Sequence, residues 1–196
     1  MTVQGARAVA YEVLHAVSGD EAYANLLLPH AIGRQKLDAK DAGLATELTY
    51  GTLRRRGTYD AIIAAAADRT VDRIDPAVLD ALRLGVHQLL STRVASHAAV
   101  NESVELARRH GGGRGAAGFA NAVLRRVSRD NPGQWMQTIS TAARSDDERI
   151  GLTTSHPVWI VRALRRALTA EGRADELDGL LEADNVAPRV AMIALP

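Results

Sequence analysis

Apolar residues recur along most of this chain at the three- and four-residue spacings of an amphipathic helix. In residues 6–17, Val9 pairs with Val13 and Leu14 with Val17. Asn25 is placed to cap a short segment, LLLPHAIG, whose start Pro29 limits. From Asp38 a longer helix is predicted through KDAGLATELTYGTLRRR, and a second one, TYDAIIAAAA, follows Gly57. Asp75-Pro76 combines a capping side chain with a first-turn proline. The clearest pattern comes next. Between Ala77 and Leu90, the residues Val78, Leu79, Leu82, Val86, Leu89 and Leu90 form one stripe at about 100° per residue. Gly85 lies beside that stripe, where a missing side chain lets another helix approach, and Arg83 and His87 sit one turn apart on its edge.

Residues 98–110 repeat the pattern, with Val100, Ser103, Val104, Leu106 and Ala107 facing one way and Glu105 and Arg109 paired at i,i+4 on the other side. The following GRGAAG, residues 113–118, reads as the G-x-G-x-x-G phosphate fingerprint of dinucleotide enzymes. That motif needs a buried strand feeding its first glycine, whereas here a predicted helix precedes it. The glycines are therefore read as a helix stop and a loop. In AAGFANAVLRRV, Phe119, Ala120, Val123, Leu124 and Val127 share a face, and Asn121 and Arg125 the opposite one.

Asn131-Pro132-Gly133 breaks the pattern and marks the first domain boundary, at residue 131. Residues 132–155 are polar and are expected to form a linker with a short helix or two. SHPVWIVRALRRAL then opens a helix with Ser155 as its cap, ADELDGLLEA makes another, and RVAMIAL is β-like. The expected class is all-α through about residue 130.

Composition narrows the chemistry. The chain has 196 residues and no cysteine, so disulfides, thiolate metal sites and cysteine nucleophiles are excluded. No apolar run is long enough for a bilayer, and the N-terminus does not read as a signal peptide because Glu12 and His15 interrupt its apolar pattern. A cytoplasmic protein with no membrane partner is expected. The six histidines are scattered with no i,i+4 pair, so no metal site is expected. Net charge is +1, but residues 1–131 hold 17 Lys and Arg against 14 Asp and Glu, while residues 132–196 hold 7 against 9. Arg54, Arg55 and Arg56 end one predicted helix, and Arg125 and Arg126 end another. Cations in a last turn also complement the helix dipole, and three consecutive residues fan too widely around a helix to touch one ligand. With Arg7 and Arg83, the set Arg54, Arg55, Arg125 and Arg126 is the candidate phosphate-contacting surface.

Four blocks, ELTYGTLRRRGTYDAII, LRLGVHQLL, AAVNESVELAR and GFANAVLRRV, occur in an order and spacing that resembles the NusB-like domain at the N-terminus of the Sun (Fmu, RsmB) family of bacterial small-subunit rRNA cytosine-C5 methyltransferases. SHPVW followed by LLEADNVAPRV is similar to the segment joining that domain to the catalytic core. The resemblance implies a NusB-like bundle of six or seven helices over residues 1–131, and the start of the methyltransferase region, two helices and a first strand, over 156–196. It implies rRNA as partner, with a ribosomal protein as a second one, and S-adenosylmethionine (AdoMet) as the cofactor of an α/β core that this chain lacks. The family's cysteine nucleophile and AdoMet loop are not in this sequence, so no catalytic or cofactor-binding residue is assigned and the expected function is RNA binding and targeting. A free-standing NusB-type antitermination factor and a helical protein-interaction module are the alternatives.

Overall fold

A computed structural model describes residues 5–19 and 22–188. The β-like RVAMIAL lies outside the described residues. Within them there are helices and no strand: α1 (Ala6–Gly19), α2 (Ala24–Gln35), α3 (Ala39–Arg54), α4 (Arg56–Ala67), α5 (Pro76–Ser91), α6 (Ser96–His110), α7 (Arg114–Val127), α8 (Pro132–Thr141), α9 (Asp146–Thr154), α10 (Val158–Ala170) and α11 (Leu177–Asp184). The first seven end at Val127, in keeping with the expected all-α NusB-like bundle.

Several helix starts follow the local chemistry of the sequence. The Asp38 carboxylate accepts from the Asp41 amide (2.8 Å), and Asp75 accepts from the amides of Ala77 and Val78. The second helix departs from expectation. It begins at Ala24 with Tyr23 at the cap, so Asn25 lies inside the first turn and Pro29 inside the helix. Apolar packing of Leu28 and Ala31 against α1 and α3 outweighs the missing proline N–H.

The fifth helix is the axis of the bundle, packed against α1, α3, α4, α6 and α7. Its apolar stripe is where the periodicity puts it, and every residue from Val78 to Gln88 is buried. The face opposite the stripe is therefore interior as well, and its Asp80, Arg83 and Gln88 side chains are paired. Arg83 forks onto Asp60 through Nε (2.7 Å) and Nη2 (2.8 Å), and reaches Asp80 through Nη1 (2.8 Å). Asp80 also accepts from Ser18 Oγ (3.0 Å) and lies 3.0 Å from His15 Nδ1. Gln88 accepts from Arg7 Nε (2.7 Å) and donates to the Leu84 carbonyl. Gly85 does let a neighbour approach: a Cβ there would lie 2.7 Å from Leu124 of α7.

The glycine loop is a helix-to-helix connection. Gly112 and Gly113 both have positive φ, which a side chain would oppose, and Gly113 caps α7. A helix, not a strand, leads into it, so the dinucleotide fingerprint has no structural basis here.

Residues 132–155, expected as a linker with a short helix or two, form two short helices, α8 and α9, both packed against α4. Asn131 and Gln134 form a reciprocal capping box that starts α8. Trp135 and Ile139 are buried in the main core, and the Trp135 indole N–H donates to the Val127 carbonyl (3.0 Å) at the end of α7. The polar ARSDDER stretch, residues 143–149, makes only the turn between α8 and α9 and the start of α9. Helices α9–α11 close over a separate small core of Ile150, Val161, Leu168, Leu177 and Leu181. Ser155 does not cap α10. It ends α9 in the left-handed region (φ 62°), and Pro157 precedes α10. Its hydroxyl instead accepts from the Gly57 amide (2.9 Å) and the Thr58 amide (3.4 Å), closing the first turn of α4 from 98 residues away. Thr58 Oγ1 donates back to the Leu152 carbonyl (2.7 Å).

Candidate functional site

That long-range cap fixes the junction between α3 and α4, where the three consecutive arginines lie. They do not share one helix end. Arg54 is the last residue of α3, Arg55 breaks the helix (φ −107°, ψ 19°), and Arg56 opens α4. The break defeats the helical fan expected of consecutive residues. Arg54 and Arg55 line the same cleft, and Arg56 lines a different one beside Gly57, Ser155 and His156.

The cleft holding Arg54 and Arg55 has a volume of about 440 Å³. Its floor is the second half of α5. His87 reaches it because Gly51 of α3 carries no side chain; a Cβ at Gly51 would overlap the imidazole. The Tyr59 hydroxyl shares hydrogen bonds with His87 Nδ1 (2.9 Å) and Ser91 Oγ (2.8 Å). His87 Nε2 is buried and has no hydrogen-bond partner among the described residues. The nearest carboxylate oxygen, Oε1 of Glu47, is 3.7 Å away.

Electrostatics follow from this geometry. Burial, together with the positive charges of Arg55 and Arg54, pushes the His87 pKa down to about 4. The imidazole is neutral at pH 7. Burial pushes the Tyr59 pKa up, so its phenol stays protonated and able to donate. Neither Arg54 nor Arg55 forms an ion pair or side-chain hydrogen bond among the described residues. Two guanidinium groups thus face a cleft with donors to spare.

The remaining walls come from the C-terminal helices. Pro132 and Met136 of α8 line one side, and Asn185, just past α11, lines another. Asn185 Nδ2 donates to the Thr154 carbonyl (2.6 Å) and the Leu181 carbonyl (3.1 Å), which ties the end of α11 to the end of α9.

The other candidate arginines are placed elsewhere. Arg83 is 5% exposed and held by Asp60 and Asp80, so it is a structural cation and not part of a binding surface. Burial works against its charge, and the two carboxylates outweigh burial and raise its pKa. Arg7 is half-buried with its Nε on Gln88. Arg125 and Arg126 are exposed in the last turn of α7, where Arg125 donates to Asn121 Oδ1 (3.0 Å), and neither lines the cleft. Sequence reasoning missed Glu47, Tyr59, Met136 and Asn185. The one usable signal was Gly51, a glycine inside an otherwise regular helical pattern on the same side as Leu44 and Leu48.

Residues 4–129 match the NusB family. The chain belongs to the NusB family. The NusB match ends just before α8, and wider similarity continues beyond it. A Mycobacterium tuberculosis (strain H37Rv) protein with a provisional methyltransferase name is 43% identical over 192 residues, covering 97% of this chain and 41% of that protein. The ribosomal RNA small subunit methyltransferase B of Pseudomonas putida is 32% identical over 159 residues, covering 81% of this chain and 34% of the relative. The chain thus spans between about a third and two fifths of the length of these curated relatives. Among solved structures, the NusB of T. maritima superposes with a TM-score of 0.60 at 18% identity, over 67% of this chain and 94% of that one. At that identity the likeness concerns the fold.

A methyltransferase relative brings AdoMet into question. The glycine loop at 113–118 is fed by a helix and not by a strand, so it does not fit that group. Among the described residues no three His, Asp or Glu side chains gather to hold a metal, and no helix is long and apolar enough to cross a membrane.

Proposed function

We propose that this chain is the RNA-holding, targeting N-terminal portion of an AdoMet-dependent small-subunit rRNA cytosine-C5 methyltransferase acting in the cytoplasm. In this reading residues 1–131 are the RNA-binding domain, and the remainder leads towards a catalytic core. The observation that carries it is the pairing of Arg54 and Arg55 in one cleft, without carboxylate partners among the described residues, in a NusB-family fold whose relatives are named rRNA methyltransferases. Guanidinium groups recognise phosphate oxygens bidentately, and such contacts are largely blind to sequence. Arg125 and Arg126, exposed on α7, are the second place where phosphates would be met.

The test is fluorescence anisotropy with a labelled single-stranded fragment of small-subunit rRNA between 50 and 200 mM salt. The expected result is binding that weakens with salt. Arg54→Gln with Arg55→Gln is expected to weaken it and to flatten the log–log salt slope by about 0.7 for each phosphate that is no longer neutralised. Unchanged affinity and slope would overturn the assignment of these two residues. Labelled AdoMet incubated with the chain and rRNA is expected to give no methyl incorporation.

A further inference from the structure

We propose that the cleft between α3, α5 and α8 receives one unstacked nucleotide of single-stranded RNA, with its phosphate against Arg54 and Arg55 and its base edge on His87 Nε2. This rests on the RNA-binding reading above and names the subsite.

Three observations carry it. The first is size and lining. A cleft of about 440 Å³ is far larger than a phosphate needs and falls within the roughly 300–1,000 Å³ range of small-molecule sites. Beyond the two arginines, its walls include Leu90 and the thioether of Met136, surfaces suited to the face of a base.

The second is the imidazole. His87 is 2% exposed, and its Nδ1 is taken by Tyr59. Its Nε2 is buried in the cleft wall against Gly51 of α3, with no partner among the described residues. Buried polar atoms are rarely left in that state, because an unmade hydrogen bond there is not replaced by water. With the Tyr59 phenol donating to Nδ1, the neutral ring carries its proton on Nε2 and offers it to the cleft.

The third is the neighbour of that nitrogen. Glu47 Oε1 lies 3.7 Å from Nε2, too far to pair with it but close enough to act beside it. A donor next to an acceptor is the complement of an acceptor–donor edge. Cytosine presents one with N3 and its N4 amino group, and the Watson–Crick edges of the other bases present one as well. The site therefore takes a base without choosing strongly among the four.

The experiment uses the whole chain labelled with ¹³C-methyl methionine and ¹⁵N-histidine. There are three methionines in the sequence, and the Met136 signal is assigned with Met136→Leu. Cytidine 5′-monophosphate, inorganic phosphate and a short single-stranded RNA are titrated separately at fixed ionic strength. The nucleotide and the RNA are expected to shift both the Met136 methyl and the His87 Nε2 resonances, and inorganic phosphate to leave the methyl in place. His87→Gln, checked for folding by circular dichroism, is expected to weaken nucleotide binding by about two- to tenfold, the worth of one hydrogen bond. If phosphate and nucleotide give the same response, the base subsite is refuted. If the RNA binds with salt and arginine dependence while Met136 and His87 stay unmoved, the cleft assignment falls and the RNA-binding reading stands. If no RNA binds, both fall.

Discussion

Removing the Arg83 guanidinium tests the architecture of α5 directly. Arg83 makes three charge-assisted hydrogen bonds, two to Asp60 and one to Asp80. The Asp80 side chain is 1% exposed. In Arg83→Ala, Asp80 would keep only Ser18 and His15 as partners and would become a buried charge without a strong counter-ion. Breaking a buried pair from one side costs about 3–5 kcal/mol, a large share of the roughly 5–15 kcal/mol that holds a typical domain together. Arg83→Met keeps much of the apolar stem and isolates the charge. Arg83→Met combined with Asp80→Asn removes both sides, so the double variant is expected to lose at least about 1 kcal/mol less than the two single losses combined. Urea unfolding followed by circular dichroism, with the slope held common, measures Arg83→Ala, Arg83→Met, Asp80→Asn and the double variant. A loss below about 1 kcal/mol in Arg83→Ala, accompanied by a drop in RNA affinity, would show that the residue serves the surface and that the network reading is wrong.

Three further outcomes follow from other parts of the structure. The His87 pKa lies near 4 in the folded chain against an ordinary 6.5, so the unfolded state binds more protons between those values. Stability is therefore full above pH ~6.5 and falls as pH drops towards 4, by about 3 kcal/mol in all. The gap between urea midpoints at about pH 7 and about pH 4.5 should be narrower in His87→Gln than in the parent chain, and an equal gap would refute it. Ser155→Ala opens the first turn of α4 and should cost about 1 kcal/mol, read by thermal unfolding. Gly85→Ala improves helix propensity by about 1 kcal/mol but presses a methyl on Leu124, an overpacking cost of about 1–3 kcal/mol. A net loss is expected, relieved when Leu124→Val is added.

Much of the helical framework is readable from local pattern, because the capping carboxylates of Asp38 and Asp75 act within three residues of themselves. The stripe on α5 is equally readable. The burial of its other face is not, because Asp80, Arg83 and Gln88 look like a solvated face until Asp60, Ser18 and Arg7 are brought to them from other helices. The arginine run is legible as a charge cluster, but the break at Arg55 that turns two of its members into one cleft depends on Ser155 and Leu152 far along the chain. Trp135 could have signalled that residues 132–155 are packed, since a tryptophan in a polar stretch needs somewhere to bury its ring.

The hydroxyl of Ser155 also sets a schedule. During vectorial synthesis at about 5–20 residues per second, Gly57 and Thr58 leave the ribosome roughly 5–20 s before Ser155 does. Through that interval the arginine hinge exists without its stopper, and two amide hydrogens of α4 face water. The N-terminal bundle can collapse early, but its arginine-lined corner matures only after the later helices emerge, so the surface proposed to meet RNA is completed last.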